Sequence, residues 1–572
     1  MATDDGSSEL LAVLVRLRET LVNTALPLDA ADIDDVRRSR RELIDQLEDY
    51  VLPRVLQIDA PLLAVVGGST GAGKSTLVNS LVGRRVSEPG VLRPTTRSPV
   101  LVHHPDDAGW FDQSRILPDL ARTTGTPGGA GTLHLVATDS LPAGLALLDA
   151  PDIDSVEQAN RELASQLLAA ADLWLFVTSA ARYADQVPWG FLKTAAERST
   201  AVAIVLDRTA PQSVREVGSH LARMLETRGL GESGLFTVPE STVDEQGLLP
   251  PRAVASIRDW LRSLAEDAPA RDAVVRQTLE GAVRSLSHRT HAVADAARAQ
   301  QDLAAALRTE VTRAYGDAVE SVDTATQDGT LLRGEVLARW QEFVGTGELL
   351  KSLEERIGRF RDRIVSAVRG RPQTAQKLTV AVESGLETLL LEHAEAAAER
   401  VEGSWQAVPA GRQLLDGARG DLGRASRSFR ADAERAVRDW QRDVLEMVRE
   451  EGADKRSRAR YMAFGVNGLS VALMVVVFVH SAGLTGAEVG IAGGSAAVGQ
   501  KLLEAVFGDQ AVRRLAAQAR TDLRQRVEAL MGQERQRFLD VLEAAAIAPA
   551  AADDLRELAR AVDDARLGGV PR

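Results

Sequence analysis

Between Leu62 and Gly83 the chain reads LLAVVGGSTGAGKSTLVNSLVG, and this stretch leaves little choice of local fold. An apolar run of strand type leads into GSTGAGKS (Gly68–Ser75), which fits G-x-x-x-x-G-K-[ST], and the following KSTLVNSLVG starts a helix. The spacing has a physical basis. Gly68 and Gly73 let the backbone between them (Ser69, Thr70, Gly71, Ala72) fold into a nest whose N–H groups point at phosphate oxygens. Lys74 reaches the β and γ phosphates, the Ser75 hydroxyl ligates Mg²⁺, and the helix that continues through Thr76 presents its anion-favouring N-terminus. A strand, a phosphate loop and a helix in succession predict an α/β domain built on a mostly parallel sheet.

The surrounding texture agrees. After residues 1–58, which read as helical, short apolar runs alternate with helical patterns: LLAVVGG, SPVLVHH, LALLDAP, LWLFVTS and AVAIVLD. Such alternation implies βαβ units, and Asp32 stands where it can cap the helix that follows. TTGTPGGAGT (123–132) reads as an exposed insertion. From about residue 266 the pattern becomes long helices. In SFRADAERAVRDWQRDVLEMVRE, Phe429, Val437, Trp440, Val444 and Val448 form one apolar stripe, and similar stripes cover 271–325, 349–369, 377–405 and 509–545. The predicted plan is N-terminal helices packing with a neck (1–58), an α/β domain (59–265), a helical neck or stalk (266–460), a membrane-inserting paddle (461–508), and C-terminal helices that return to the stalk (509–572).

Composition narrows the function classes. The chain has 572 residues, 45% hydrophobic and 26% charged, which suits several globular domains. A net charge of −13 argues against a general nucleic-acid binder. No cysteine is present, which fits a reducing compartment, and MATDDGSSEL shows no secretory signal. From Tyr461 to Ala487 there is no Asp, Glu, Lys or Arg, and roughly 20 apolar residues suffice to cross a bilayer. A buried core helix is the alternative. The basic KRSRAR just before it suits the cytoplasmic side and anionic lipid. A second apolar piece, Val489 to Gly508, is short for an independent crossing, so a hairpin with both ends cytoplasmic is expected rather than a single pass.

The continuation GKSTLVNSLVG followed by VLRPTTRSP resembles the start of a GTPase in the class that includes translation factors and dynamins. That resemblance implies a Thr closing over Mg²⁺ and the γ-phosphate as a catalytic residue beside Lys74. Thr95 and Thr96 are the candidates, and Thr96 directly precedes Arg97 and the next strand. It also implies an Asp at the end of a later strand, Asp149 in LALLDAPD, holding Mg²⁺ through water. The glycine of the family's Asp-x-x-Gly is replaced by Asp152. In AVAIVLDRTAP, Asp207 and Arg208 take the Asn and Lys positions of the base-binding motif, with the Arg208 stem along the base. Ala210 replaces the guanine-reading Asp, and LFTVPES (235–241) matches the last base-contacting loop only weakly.

Taken together, phosphate loop, RPTT segment, flanking helices and late apolar segment resemble a bacterial dynamin-like protein. The match is tight over about 62–100 and otherwise rests on element order. The family implies GTP/GDP and Mg²⁺ as ligands, GTP hydrolysis, an anionic bilayer as partner, and homo- or hetero-oligomers formed through heads and stalk with another dynamin-like subunit. It places the protein at the cell membrane, in fission, fusion, membrane maintenance or division. Gly71 offers none of the polar side chains that the family uses to place the attacking water. Two other readings remain open: a membrane-tethered nucleotide-binding scaffold with little hydrolysis, and an ATPase driving a coiled-coil machine.

Overall fold

The computed structural model describes residues 2–88, 98–111, 116–118, 120–125, 131–155, 157–197, 200–328, 331, 334–344, 372–451, 468–479, 503–504 and 507–569. It divides into two compact units. The first comprises 1–26, 32–299 and 548–572, the second 27–31 and 300–547.

The first unit is built on an eight-stranded sheet. Its strands are β1 (Leu62–Gly68), β2 (Val100–His103), β3 (Ala121–Thr123), β4 (Thr132–Ala137), β5 (Leu145–Asp149), β6 (Leu173–Ser179), β7 (Ala201–Thr209) and β8 (Gly234–Pro239), in the order β3-β4-β2-β5-β1-β6-β7-β8. All neighbours are parallel except β2 and β5. The mostly parallel sheet expected from sequence is present. β1, β5 and β6 are buried along their whole length, the hallmark of strands covered on both faces. Side chains of period two go to opposite faces. Leu63, Val65, Leu148, Trp174, Phe176, Ile204 and Leu206 share one core with the helices Gln158–Ala169, Gln186–Glu197 and Val214–Glu226. Leu62, Ala64, Val66, Leu147, Leu175, Val177 and Val205 share the other with the helices Lys74–Val82 and Ala255–Glu266.

β1, which carries the phosphate loop at its end, is pinned at its start by a buried ion pair between Arg54 and Asp172. Asp172 Oδ2 accepts the Leu63 N–H at 2.7 Å, and Arg54 also donates to the carbonyls of Ala60 (2.9 Å) and Pro61 (2.7 Å). Leu10, Leu14, Leu17 and Leu21 of the helix Ala2–Asn23 pack with Leu279, Val283, Leu286, Leu555, Leu558 and Val562. Asp32 occupies the N-cap position of the helix Ile33–Gln46 at φ 58°, but its side chain makes no capping hydrogen bond, which corrects the capping expectation. The segment 123–132 begins at the end of β3 and finishes at the start of β4, which pair with each other, and its described residues Thr124, Gly125 and Gly131 are exposed.

Among the described residues, the second unit consists of helices and their connections. Phe429, Val437, Trp440, Val444 and Val448 are buried on one stripe of the helix Phe429–Glu451, as their spacing predicts. Trp405 stacks edge-on against Phe538 at 5.4 Å between centroids, and the Trp440 indole N–H donates to the Ala519 carbonyl at 2.8 Å. The described part of the apolar segment is the 12-residue helix Gly468–Val479. Val471 through Val477 are consecutively buried in this unit's core, against the helices Pro372–Gln406, Phe429–Glu451 and Asp509–Ala544. Among the described residues no helix is long and apolar enough to cross a membrane, so the expected transmembrane span is not seen. The rest of 461–502, the KRSRAR cluster and the stripe at 349–369 lie outside the described residues.

Candidate functional site

The loop between β1 and the helix Lys74–Val82 closes around two glycines that tolerate no side chain. A Cβ on Gly68 would lie 2.0 Å from the Val177 carbonyl oxygen on β6, and one on Gly73 would lie 2.1 Å from Asp207 Oδ2 on β7. Both have positive φ, 152° and 98°. The sheet thus presses the loop against β6 and β7, which only glycine permits at this distance. Inside the curl, the Ala72 N–H bonds to the Ser69 carbonyl at 3.1 Å and the Leu77 N–H to the Gly73 carbonyl at 2.8 Å. Around Gly71 the space is open, with nothing within 4 Å of a would-be Cβ.

Lys74 is 5% exposed. Its Nζ donates to the Gly68 carbonyl at 3.0 Å and the Ser69 carbonyl at 3.4 Å, and forms an ion pair with Asp152. The residue that replaces the motif glycine therefore turns towards the phosphate loop. One residue further on, the Ile153 N–H reaches the Gly68 carbonyl at 3.4 Å.

The Ser75 hydroxyl donates to Asp149 Oδ2 at 2.6 Å, and the Ser87 hydroxyl donates to the same oxygen at 2.5 Å. Asn79 fixes Ser87 in place by accepting its N–H (2.9 Å) and donating to its carbonyl (2.8 Å). Burial pushes the Asp149 carboxyl above its ordinary range, and the bonds from Ser75 and Ser87, with the Lys74 charge, pull it part of the way back. Its other oxygen, Oδ1, is buried without a partner. A buried carboxylate oxygen left without a donor is costly, and beside Ser75 it suits a metal-bound water. Among the described residues no three His, Cys, Asp or Glu side chains cluster as a metal site; Mg²⁺ in phosphate sites typically takes only one or two protein ligands, plus waters and phosphate oxygens.

Sequence reasoning missed a further pair. Asp154 Oδ1 accepts both the Thr70 N–H (2.6 Å) and hydroxyl (2.7 Å), while Arg182, just after β6, donates to Asp154 Oδ2 at 2.6 Å. Burial alone would raise the Asp154 carboxyl; the Thr70 bonds and the Arg182 charge outweigh it and hold the group below the usual range. Nothing in the DAPDIDS and AARYAD runs marks this contact, because it depends on two strand ends meeting the loop.

At the end of β7, Asp207 is 3% exposed and faces Gly73. Burial pushes its carboxyl up to about 6, against the pull of the Arg208 N–H (2.8 Å) and charge. Arg208 is exposed at φ 51°, a strained backbone for a residue with a side chain, and its Nε lies 3.7 Å from the same Gly73 position. Lys74, Ser75, Asp149, Asp152, Asp207 and Arg208 all meet around this loop. Thr95 and Thr96 lie outside the described residues.

No protein-family profile matches the chain. A curated relative, the probable transmembrane GTPase FZO-like, chloroplastic, of Arabidopsis thaliana, is 26% identical over 159 residues, which are 28% of this chain and 16% of that protein. Matching solved structures include an oligomerised bacterial dynamin pair, described as providing a mechanism for long-range sensing and tethering of membranes, at 10% identity and TM-score 0.40 over 98% of this chain and 94% of the other. LeoA, a bacterial dynamin GTPase from ETEC, matches at 11% identity and TM-score 0.23 over 99% of each chain. Toc33 from Arabidopsis thaliana, in complex with Mg²⁺ and GMPPNP, matches at 15% identity and TM-score 0.23 over 40% and 91%.

The raised Asp207 carboxyl makes a sign-definite prediction. Its folded value lies above the unfolded one, so the ionised form costs stability above pH about 6, and the cost fades as pH falls towards 4. Asp207→Asn keeps the acceptor for the Arg208 N–H. It should stabilise the ligand-free protein at pH 7.5 by up to about 3 kcal/mol, a gain that disappears near pH 4. Denaturant unfolding of both proteins across that range checks it.

Proposed function

We propose that this dynamin-like chain binds GTP with Mg²⁺ at the loop Gly68–Thr76, hydrolyses it, and couples the cycle to membrane binding or remodelling. The observation that carries the reading is the buried set of Lys74, Ser75 and Asp149, in which Asp149 keeps one oxygen without a partner beside the Ser75 hydroxyl.

The residues fit roles in phosphoryl transfer, where positioning and electrostatics supply most of the rate. The backbone N–H groups of 69–76 cradle the α and β phosphates. Lys74 leaves Asp152 for the β and γ phosphate oxygens. Ser75, with Asp149 acting through water and Thr96 added from the sequence motif, would hold Mg²⁺. Bound Mg²⁺ would neutralise charge on the β and γ phosphates. Water attacks the γ-phosphorus, the bond to the β–γ bridging oxygen breaks, and GDP and phosphate leave. Asp207 and Arg208 border the loop on the base side.

Asp152 bears directly on affinity. In the ligand-free site its carboxylate holds the ammonium that a phosphate must take over, so binding carries the cost of breaking a partly buried pair. Bilayer contact is assigned to 461–508, with the heads on the cytoplasmic side of the cell membrane and oligomers formed through heads and stalk. A membrane-tethered nucleotide-binding scaffold with little turnover is the second reading. Two observations favour it: Gly71 brings no side chain into its open space, and Asp152 already occupies Lys74.

Two measurements test these readings. GTP turnover should rise several-fold with protein concentration and with anionic vesicles; a flat and negligible rate under both conditions favours the scaffold. Asp152→Asn should tighten GDP and GTP binding by about tenfold, equivalent to roughly 1.4 kcal/mol, as read by calorimetry. Unchanged or weaker binding would show that the Lys74–Asp152 pair does not oppose the nucleotide.

A further inference from the structure

The base-reading carboxylate expected on β7 is absent, because Ala210 stands in its place. β7 and β8 run parallel and are hydrogen-bonded to their ends, with Thr209 opposite Pro239. The next residues along the two strands are Ala210 and Glu240, and the Glu240 N–H donates to the Thr209 carbonyl at 3.0 Å. The acid missing from one strand end is therefore matched by an acid at the adjoining strand end. Neighbouring strands lie about 4.8 Å apart, and Glu is one methylene longer than Asp, which helps to span that offset.

Three neighbouring polar groups at this rim are already engaged. Asp207 is buried against Gly73. Asp244 accepts the N–H groups of Gln246 and Leu248, both at 2.9 Å, and so caps its own turn. The Ser241 hydroxyl donates to the Pro239 carbonyl at 3.0 Å. Glu240 is exposed, at the carboxyl end of a parallel strand, which is where ligands of open α/β sheets bind.

We infer that Glu240 is the residue that selects the base: its two carboxylate oxygens accept the N1–H and one exocyclic amino N–H of guanine. Adenine presents a lone pair at N1 and has no amino group at C2, so the same carboxylate repels it. This assignment rests on the nucleotide reading above. It gives Arg208 and Glu240 separate tasks, the first with its stem along the base beside the loop and the second at the Watson–Crick edge of the base. Sites built to hydrogen-bond a polar edge reject ligands that lack it by large factors.

Binding of GTP, ATP and XTP to the full-length wild type and to Glu240→Gln tests the assignment. Xanthine carries a carbonyl at C2, an acceptor that suits the donating amide of Gln and not a carboxylate. The wild type should prefer GTP, and E240Q should lose at least about tenfold in GTP affinity, gain several-fold for XTP, and leave ATP affinity within about twofold. Adding Ala210→Asp to E240Q should restore the GTP preference from the neighbouring strand. A wild type that binds GTP and ATP equally overturns both the guanine-nucleotide reading and this assignment. A wild type that prefers GTP, with a preference E240Q leaves intact, overturns Glu240 alone. XTP binding by E240Q separates a lost base contact from a lost fold.

Discussion

A buried ammonium organises this site. Lys74 sits almost wholly out of water at the start of a helix, where the helix dipole favours anions and disfavours a cation. Such a charge persists only if carbonyls and an anion surround it. Those groups are the Gly68 and Ser69 carbonyls and the Asp152 carboxylate. The same arrangement explains why the segment after β5 folds back over the phosphate loop. Asp152 is drawn to Lys74, Asp154 to Thr70 and Arg182, and Asp149 to Ser75 and Ser87. Three carboxylates from one short stretch thus bind three residues of the loop segment, Lys74, Thr70 and Ser75. On the proposed reading, a phosphate entering the loop competes with the first of them and leaves the other two as scaffold.

The architecture was legible where physics acts locally. β1, β5, β6 and β7 are continuous apolar runs, so their strand identity and burial follow from composition alone. The phosphate loop follows from glycine positions that the close approach of Val177 and Asp207 requires. The stripe of Phe429 to Val448 follows from helical spacing. β3 and β4 were missed because ART spans three residues and His134 interrupts the apolar run of TLHLVA. Asp154, Arg182 and Ser87 were not read as site residues, since each meets the site only through tertiary contact.

Hydrophobicity all round a helix carries two meanings, a bilayer span or a buried core element, and sequence alone does not separate them. For Gly468–Val479 the structure supplies the second: the helix is enclosed by three others within the helical unit.

The most direct test of the account is a calorimetric titration of Mg²⁺–GTP into the full-length protein and into Lys74→Ala. The account predicts saturable binding at one site per chain in the wild type and loss of at least about a hundredfold in affinity, roughly 2.7 kcal/mol, in the variant. Equal binding by both proteins, or no binding by the wild type, would contradict the claim that this buried lysine exists to hold a nucleotide.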